Sequence, residues 1–298
     1  MSWRLVARKD FEDVIRSWLL WSIIGVFLLL MGIIGLAASA EDLSTADGTA
    51  MYMLFNSLGA QLLLPVTALV VGYMAITAER QSGSLRILFG LSHDRRDVVF
   101  GKVLSRATAM LAATLVVCGA LLALLLWTVG SVSVPTYLAF LGLTVLLTLA
   151  FTGIALGISS STGSRATAMG AAIGSYVFFA LLYHPIVAGV HYVVEGGLAG
   201  YAAPKWYFLL QRLDPMTAYR EALSLVTGRY LSPMIGWPRM IEDVPAGATA
   251  ENGLLLTERV GGELPVYLTE WFSVVVLLAW FAVPVAVGYW RFERADLN

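Results

Sequence analysis

The sequence predicts an all-α, polytopic integral membrane protein with six transmembrane helices, an N-terminal amphipathic interfacial helix and an extracellular helical segment between helices 5 and 6. Three observations carry this. The 298 residues are 58% hydrophobic and 13% charged, with a mean hydropathy of +0.78, whereas soluble domains hold roughly 45–50% apolar and about 25% charged residues. Six apolar runs approach the roughly 20 residues that a helix needs to cross hydrocarbon, and none contains Asp, Glu, Lys or Arg. Basic residues also recur in alternate loops, as the positive-inside rule requires.

Residues 1–17 read as a helix in the headgroup plane, because Trp3, Ala7, Phe11, Val14, Ile15 and Trp18 share one face. Its other face places Arg8, Glu12 and Arg16, beside Lys9 and Asp13, at i,i+4 spacing for pairing. Such a helix either fixes how the first span enters or docks a partner. The first run, Trp18 to Leu36, precedes Ala38-Ser39-Ala40, which resembles a signal-peptide cleavage site. The run exceeds the usual roughly 7–15-residue apolar stretch of a signal, and Asp10, Glu12 and Asp13 lie before it, so a retained span is expected.

The second run, Leu54 to Ala78, is broken by Asn56, Ser57, Gln61, Pro65 and Tyr73. Polar side chains in lipid join helices or line a path, which makes Asn56, Gln61 and Tyr73 the pathway-lining candidates. The remaining runs are Ala107 to Val129, Tyr137 to Ile158, Ala166 to Ala188 and Phe272 to Trp290. Gly153 and Gly157, and Gly170 and Gly174, form two small-x-x-x-small pairs that permit close helix contact.

Orientation follows from the short loops. Arg4, Arg8, Lys9 and Arg16 precede the first span. Arg80, Arg86, Arg95, Arg96, Lys102 and Arg106 follow the second, Arg165 follows the fourth, and Arg291 and Arg294 follow the sixth. Loops 39–53 and 129–136 have no basic residue. Both termini are therefore expected in the cytoplasm of a plasma-membrane protein, and residues 189–270 outside. In that segment Pro204 to Leu213 reads as a helix with interfacial Trp206, Tyr207 and Phe208. Asp214 then offers an N-cap, Pro215 an N1 residue, and Gly228 a stop after Thr227. Residues 232–265 read as an irregular excursion. The whole chain, 1–298, is expected to form a single transmembrane domain.

The richest cytoplasmic stretch is ERQSGSLRILFGLSHDRRDVVFGK, Glu79 to Lys102, within a segment 79–106. Gly83 permits a turn, Leu85, Leu88 and Phe89 give a short helix one apolar side, and Ser92 or Asp94 can cap a second helix begun by Arg95 and Arg96. The pattern describes a stiff bracket between two spans that can be pushed.

The ordered set Glu79, Arg80, Gly83, Ser84, Leu85, Leu88, Arg95, Arg96, Gly101 and Lys102 resembles the second cytoplasmic segment of type 2 ATP-binding-cassette (ABC) exporter membrane subunits. In them it is written E-R-x-x-G-[ST]-L, leucines, paired arginines and G-K. DPMTAY at Asp214 to Tyr219 and the closing GYWRFERADL at Gly288 to Leu297 agree with that family. Residues 232–265 are an elaboration, and the proline that many members carry near Ser92 or His93 is absent. The resemblance implies a permease that couples through those ten residues to a separate cytoplasmic ATPase. ATP and Mg would bind on that ATPase, and a second permease copy or paralogue would complete a dimer. Some similarity extends to the branch serving copper-enzyme maturation.

The residues agree independently. No G-x-x-x-x-G-K-[ST] phosphate loop is written in the chain, and no span carries an ionisable group to relay protons, so the driving energy is expected from another polypeptide. No Ser-His-Asp, paired-carboxylate or H-E-x-x-H constellation appears, so no enzyme activity and no cofactor on this chain are expected. A formal charge of -1 argues against a nucleic-acid partner, and a lone Cys118 excludes an intramolecular disulfide. His184 and His191 share a helix face without a third ligand at helical spacing, so backbone or water partners, not metal, are expected. A different class, a scaffold that recruits an extracellular partner through 196–265, fits the same layout.

Overall fold

The computed structural model describes residues 3–40, 55–82, 95–231, 233, 235, 240–243 and 254–295. Helix α1 spans Trp3–Ile15 and α2 spans Trp18–Ala40; the chain bends by 51° between them. Helix α3 spans Phe55–Gln81, with π-helical turns over Phe55–Leu63, a regular stretch Leu64–Gly72 and a short turn before Thr77. Helices α4 (Arg95–Thr128) and α5 (Val134–Ser161) follow. Helix α6 (Arg165–Glu195) carries a π-helical stretch at Phe178–Leu182. Among the described residues, α3, α4, α5, α6 and the last helix, α10 (Glu270–Glu293), are long and apolar enough to cross a bilayer, and the bent α1–α2 pair supplies a sixth candidate.

Two boundaries differ from the sequence reading. Arg95 and Arg96 do not open a separate short helix: α4 is 34 residues long and runs unbroken from them through the third apolar run. The fifth span extends through His184 and His191 to Glu195, because only Gly196, at φ 76°, breaks the apolar, helix-compatible sequence.

Beyond α6, a parallel two-residue pairing joins β1 (Ala199–Gly200) to β2 (Glu242–Asp243). Helices α7 (Lys205–Arg212) and α8 (Pro215–Thr227) match the expected pair. Asp214 caps α8 by accepting from the Met216 and Thr217 backbone N–H at 3.3 and 2.8 Å. Gly228, at φ 67°, ends it in the left-handed region that other residues avoid. Helix α9 (Leu256–Val260) and a 3-10 turn at Val266–Leu268 complete this cap, whose small core contains Val187, Tyr207, Phe208, Leu256 and Leu268.

Helix α5 is the pillar of the bundle, packing against α3, α4, α8 and α10. Helix α8 is not a surface element. Its Tyr219 is 0% exposed and reaches Thr144 of α5 at 3.1 Å. The two glycine pairs have different fates. A Cβ on Gly157 would lie 2.5 Å from the Pro284 carbonyl oxygen, and one on Gly153 would strike Phe281, so these glycines let α5 and α10 touch backbone to backbone. Nothing lies within 4 Å of the Cβ positions of Gly170 and Gly174. Gly157→Ala is therefore expected to destabilise the protein by about 1–3 kcal/mol through overpacking. Gly174→Ala should not lower the unfolding midpoint; the comparison is made by thermal unfolding in detergent.

Candidate coupling face

Four charges converge where α1, α3 and α4 meet. Lys102 of α4 is 3% exposed, and its ammonium lies 2.9 Å from Asp10 of α1 and 2.8 Å from Glu79 of α3. Arg106, one turn further along α4, donates to the same Asp10 oxygen at 2.8 Å and to the Val71 carbonyl at 2.8 Å. The Ser105 hydroxyl donates to Asp10 at 2.7 Å. The charges alternate as Glu79, Lys102, Asp10, Arg106 and sum to zero, which is the arrangement a desolvated ionic cluster needs. Burial pushes the Asp10 carboxyl up, but Lys102 and Arg106 more than reverse this and hold it below the usual carboxylate range.

Helix α1 can approach this closely because of Gly101. A Cβ there would lie 2.9 Å from the Trp3 carbonyl oxygen and 3.0 Å from Val6. Ala7 and Val14 of α1 are buried beside Asp10, so the apolar face of α1 is turned onto α4, while Arg8 and Glu12 pair at 3.0 Å on the exposed side.

Two further ties reach the pillar and the last helix. The Ile76 backbone N–H donates to Ser159 Oγ at 2.9 Å, and the Thr77 hydroxyl donates to the Ser159 carbonyl at 2.9 Å, so the broken turn in α3 is stitched to the end of α5. Arg96 donates to the Tyr289 hydroxyl at 2.8 Å and lies 3.7 Å from Glu293. Ile76, Val98, Val99 and Phe292 fill the space between these contacts.

Of the expected coupling residues, Glu79 and Lys102 meet directly and Gly101 lets α1 pack beside them, whereas Arg96 reaches α10 instead. Arg80 ends α3 with its guanidinium beside Gly163 in the α5–α6 turn. Arg95 starts α4, but its side chain, and all of Gly83, Ser84, Leu85 and Leu88, lie outside the described residues. The pathway candidates do not share a wall. Gln61 faces a cavity with His184, Asp214 and Arg220, whereas Asn56 is 1% exposed in the π-helical turns and Tyr73, half-buried, begins the turn after Gly72. His184 bonds Thr217 at 2.9 Å and His191 the Gly197 carbonyl at 3.1 Å.

Asp10, Ser105, Thr77, Ser159 and Tyr289 were missed by sequence reasoning. Asp10 left one signal: it falls within the apolar stripe of α1, three residues from Ala7 and four from Val14.

Set beside known proteins, the chain belongs to a recognisable class. Residues 4–297 match the model of the ABC-2 family transporter proteins, and the chain belongs to that family. It is the permease subunit of an ABC transporter, a multi-pass membrane protein whose ATP hydrolysis is performed by a separate subunit. The chain is similar to two curated relatives, each named as a probable ABC transporter permease protein NosY. That of Pseudomonas aeruginosa is 30% identical over 251 residues, covering 82% of this chain and 89% of the relative; that of Stutzerimonas stutzeri is 27% identical over 303 residues, covering 97% of each.

Because its folded value is lowered, Asp10 contributes stability at neutral pH, above its unfolded value of about 3.9, and that contribution falls as pH drops through the folded value. The stability gap between wild type and Asp10→Asn, measured by denaturation from neutral to acidic pH, is expected to hold steady above about pH 5 and shrink below it. Lys102→Met, which removes the ammonium that Glu79 and Asp10 share, should cost about 3 kcal/mol, the low end for a buried pair, because Arg106 and Ser105 still hold Asp10 and Glu79 is partly exposed.

Proposed function

We propose that the segment 79–106 receives the stroke of the partner ATPase and passes it to the spans. One observation carries this reading: Glu79 and Lys102, on opposite sides of the segment, share one ammonium–carboxylate bond, and Lys102 also binds Asp10. A push on the segment therefore moves α1, α3 and α4 together, because breaking either link takes from the buried Lys102 ammonium one of the two carboxylates that offset its burial. In this reading both termini and the segment are cytoplasmic, α2 completes six spans, and two permeases with two ATPases form an exporter. The partner ATPase binds ATP and Mg. The α7–α8 pair, reaching α5 through Tyr219, closes the outer mouth, and Gln61 lines the pathway beside it.

A role in copper-enzyme maturation gains nothing from His184 and His191, which are turned to Thr217 and Gly197; metal binding lost in the double His→Ala variant would restore it. A scaffold that recruits an extracellular partner would co-purify with that partner and no ATPase.

Charge reversal at Arg95 and Arg96 is expected to leave membrane insertion intact and to uncouple ATP hydrolysis from transport in a reconstituted complex. Coupled transport at the wild-type rate would overturn the assignment.

A further inference from the structure

Helix α3 is broken within its apolar run, and the backbone groups freed by the break are met by two other helices. The Ala75 N–H bonds the Gly72 carbonyl at 3.0 Å, three residues back, and not the Val71 carbonyl four residues back. The next two donors, the Ile76 and Thr77 N–H groups, turn to Ser159 Oγ of α5 at 2.9 and 3.2 Å. The Val71 carbonyl, left without its helical donor, accepts from Arg106 Nη1 of α4 at 2.8 Å. Gly72 lets α3 and α5 abut here, since a Cβ on it would lie 2.5 Å from the Cβ of Ala155. Unmet backbone groups are not tolerated in hydrocarbon, so a helix stays broken there only where its neighbours supply the missing partners.

The break divides α3 mechanically. Hydrogen bonds to the carbonyl four residues back make a helix a stiff rod, and a tightened turn in mid-helix, where that ladder lapses, is a common form of hinge. Helix α4 grips the two parts separately. Below the break, Lys102 holds Glu79 at 2.8 Å. Above it, Arg106 holds Val71 with Nη1 while its Nη2 lies on Asp10 of α1 at 2.8 Å. The two ends of one planar guanidinium do this together, a geometry that the single nitrogen of a lysine does not offer. The stretch Leu64–Gly72 otherwise packs chiefly against α5 and only lightly against α4, so the Arg106 fork is the strong tie from α4 to the upper part of α3.

We propose that the break in α3 is a pivot, and that Arg106 is the positioning residue that carries motion of α4 to the part of α3 above it. The inference rests on the reading of 79–106 as the receiver of the ATPase stroke and adds the route the stroke takes past the break: through a side chain of α4, not along the backbone of α3.

The test uses the assembled transporter in lipid nanodiscs. Spin labels are placed at half-buried Val66 above the break, at exposed Gln81 below it, and at Leu138 near the start of α5 as the reference. Distances are read without nucleotide and with ATP trapped on the partner ATPase. In the otherwise wild-type chain both the Gln81–Leu138 and Val66–Leu138 distances are expected to shift on trapping ATP, and the Val66–Gln81 distance shifts as the two parts turn about the break. In Arg106→Lys, which keeps the charge beside Asp10, the Gln81–Leu138 shift is retained and the Val66–Leu138 shift is lost. A Val66–Leu138 shift of wild-type size in that variant, or none in the wild type, overturns the proposal while leaving the stroke reading in place. A wild-type Gln81–Leu138 distance that ignores ATP overturns the stroke reading and the pivot with it. Should Arg106→Lys not assemble, the wild-type Val66–Gln81 distance decides: a shift with ATP supports the pivot, and constancy, the signature of one rigid rod, refutes it.

Discussion

Everything at the cytoplasm-facing end of the proposed topology is organised around Lys102. An ammonium group that is 3% exposed is stable only if its desolvation is offset by close carboxylates. Those carboxylates come from helices that are remote in sequence: Asp10 on α1 and Glu79 on α3. Moving either helix alone would take from Lys102 one of the two carboxylates that offset its burial. The cluster therefore makes rigid-body motion cheaper than local deformation, which is the property a lever needs.

A lever also needs a fulcrum. In the proposed reading helix α5 is that fulcrum, because Ser159 holds the broken turn of α3 and the glycine face at Gly153 and Gly157 presses onto α10. Arg96 then links α4 to the far end of α10 through Tyr289. The ion cluster, the serine stitch and the arginine tie together join α1, α3, α4, α5 and α10, so in the proposed reading a displacement of the ends of α3 and α4 has three routes into the bundle.

The sequence was legible wherever the signal is local. The apolar runs, the Asp214 cap, the Pro215 start and the Gly228 stop of α8 all depend on residues within one turn of each other, and they stand where expected. Glu79, Gly101 and Lys102 were legible as a motif but not as a structure. What joins them is Asp10, which is 92 positions from Lys102, and no spacing rule spans that distance. Asp10 could have been singled out as a charge in the apolar stripe of α1, but its partner could not. The same holds for the glycine pairs: small-x-x-x-small spacing identifies a surface that can be approached, and only the fold tells which helix approaches it. The cap's ion pairs, Arg212 with Glu221 and Arg259 with Glu242, were likewise invisible, since a charged residue in a polar segment reads as solvated.

The most direct test of the central claim is a distance measurement across the cluster in the assembled transporter. Spin labels at Arg8, on the exposed side of α1, and Leu104, on the exposed side of α4, report whether the two helices move as one body. The account predicts the same inter-label distance distribution without nucleotide and with ATP trapped on the partner ATPase. A distribution that shifts or splits on ATP binding, while Lys102 is intact, would contradict it.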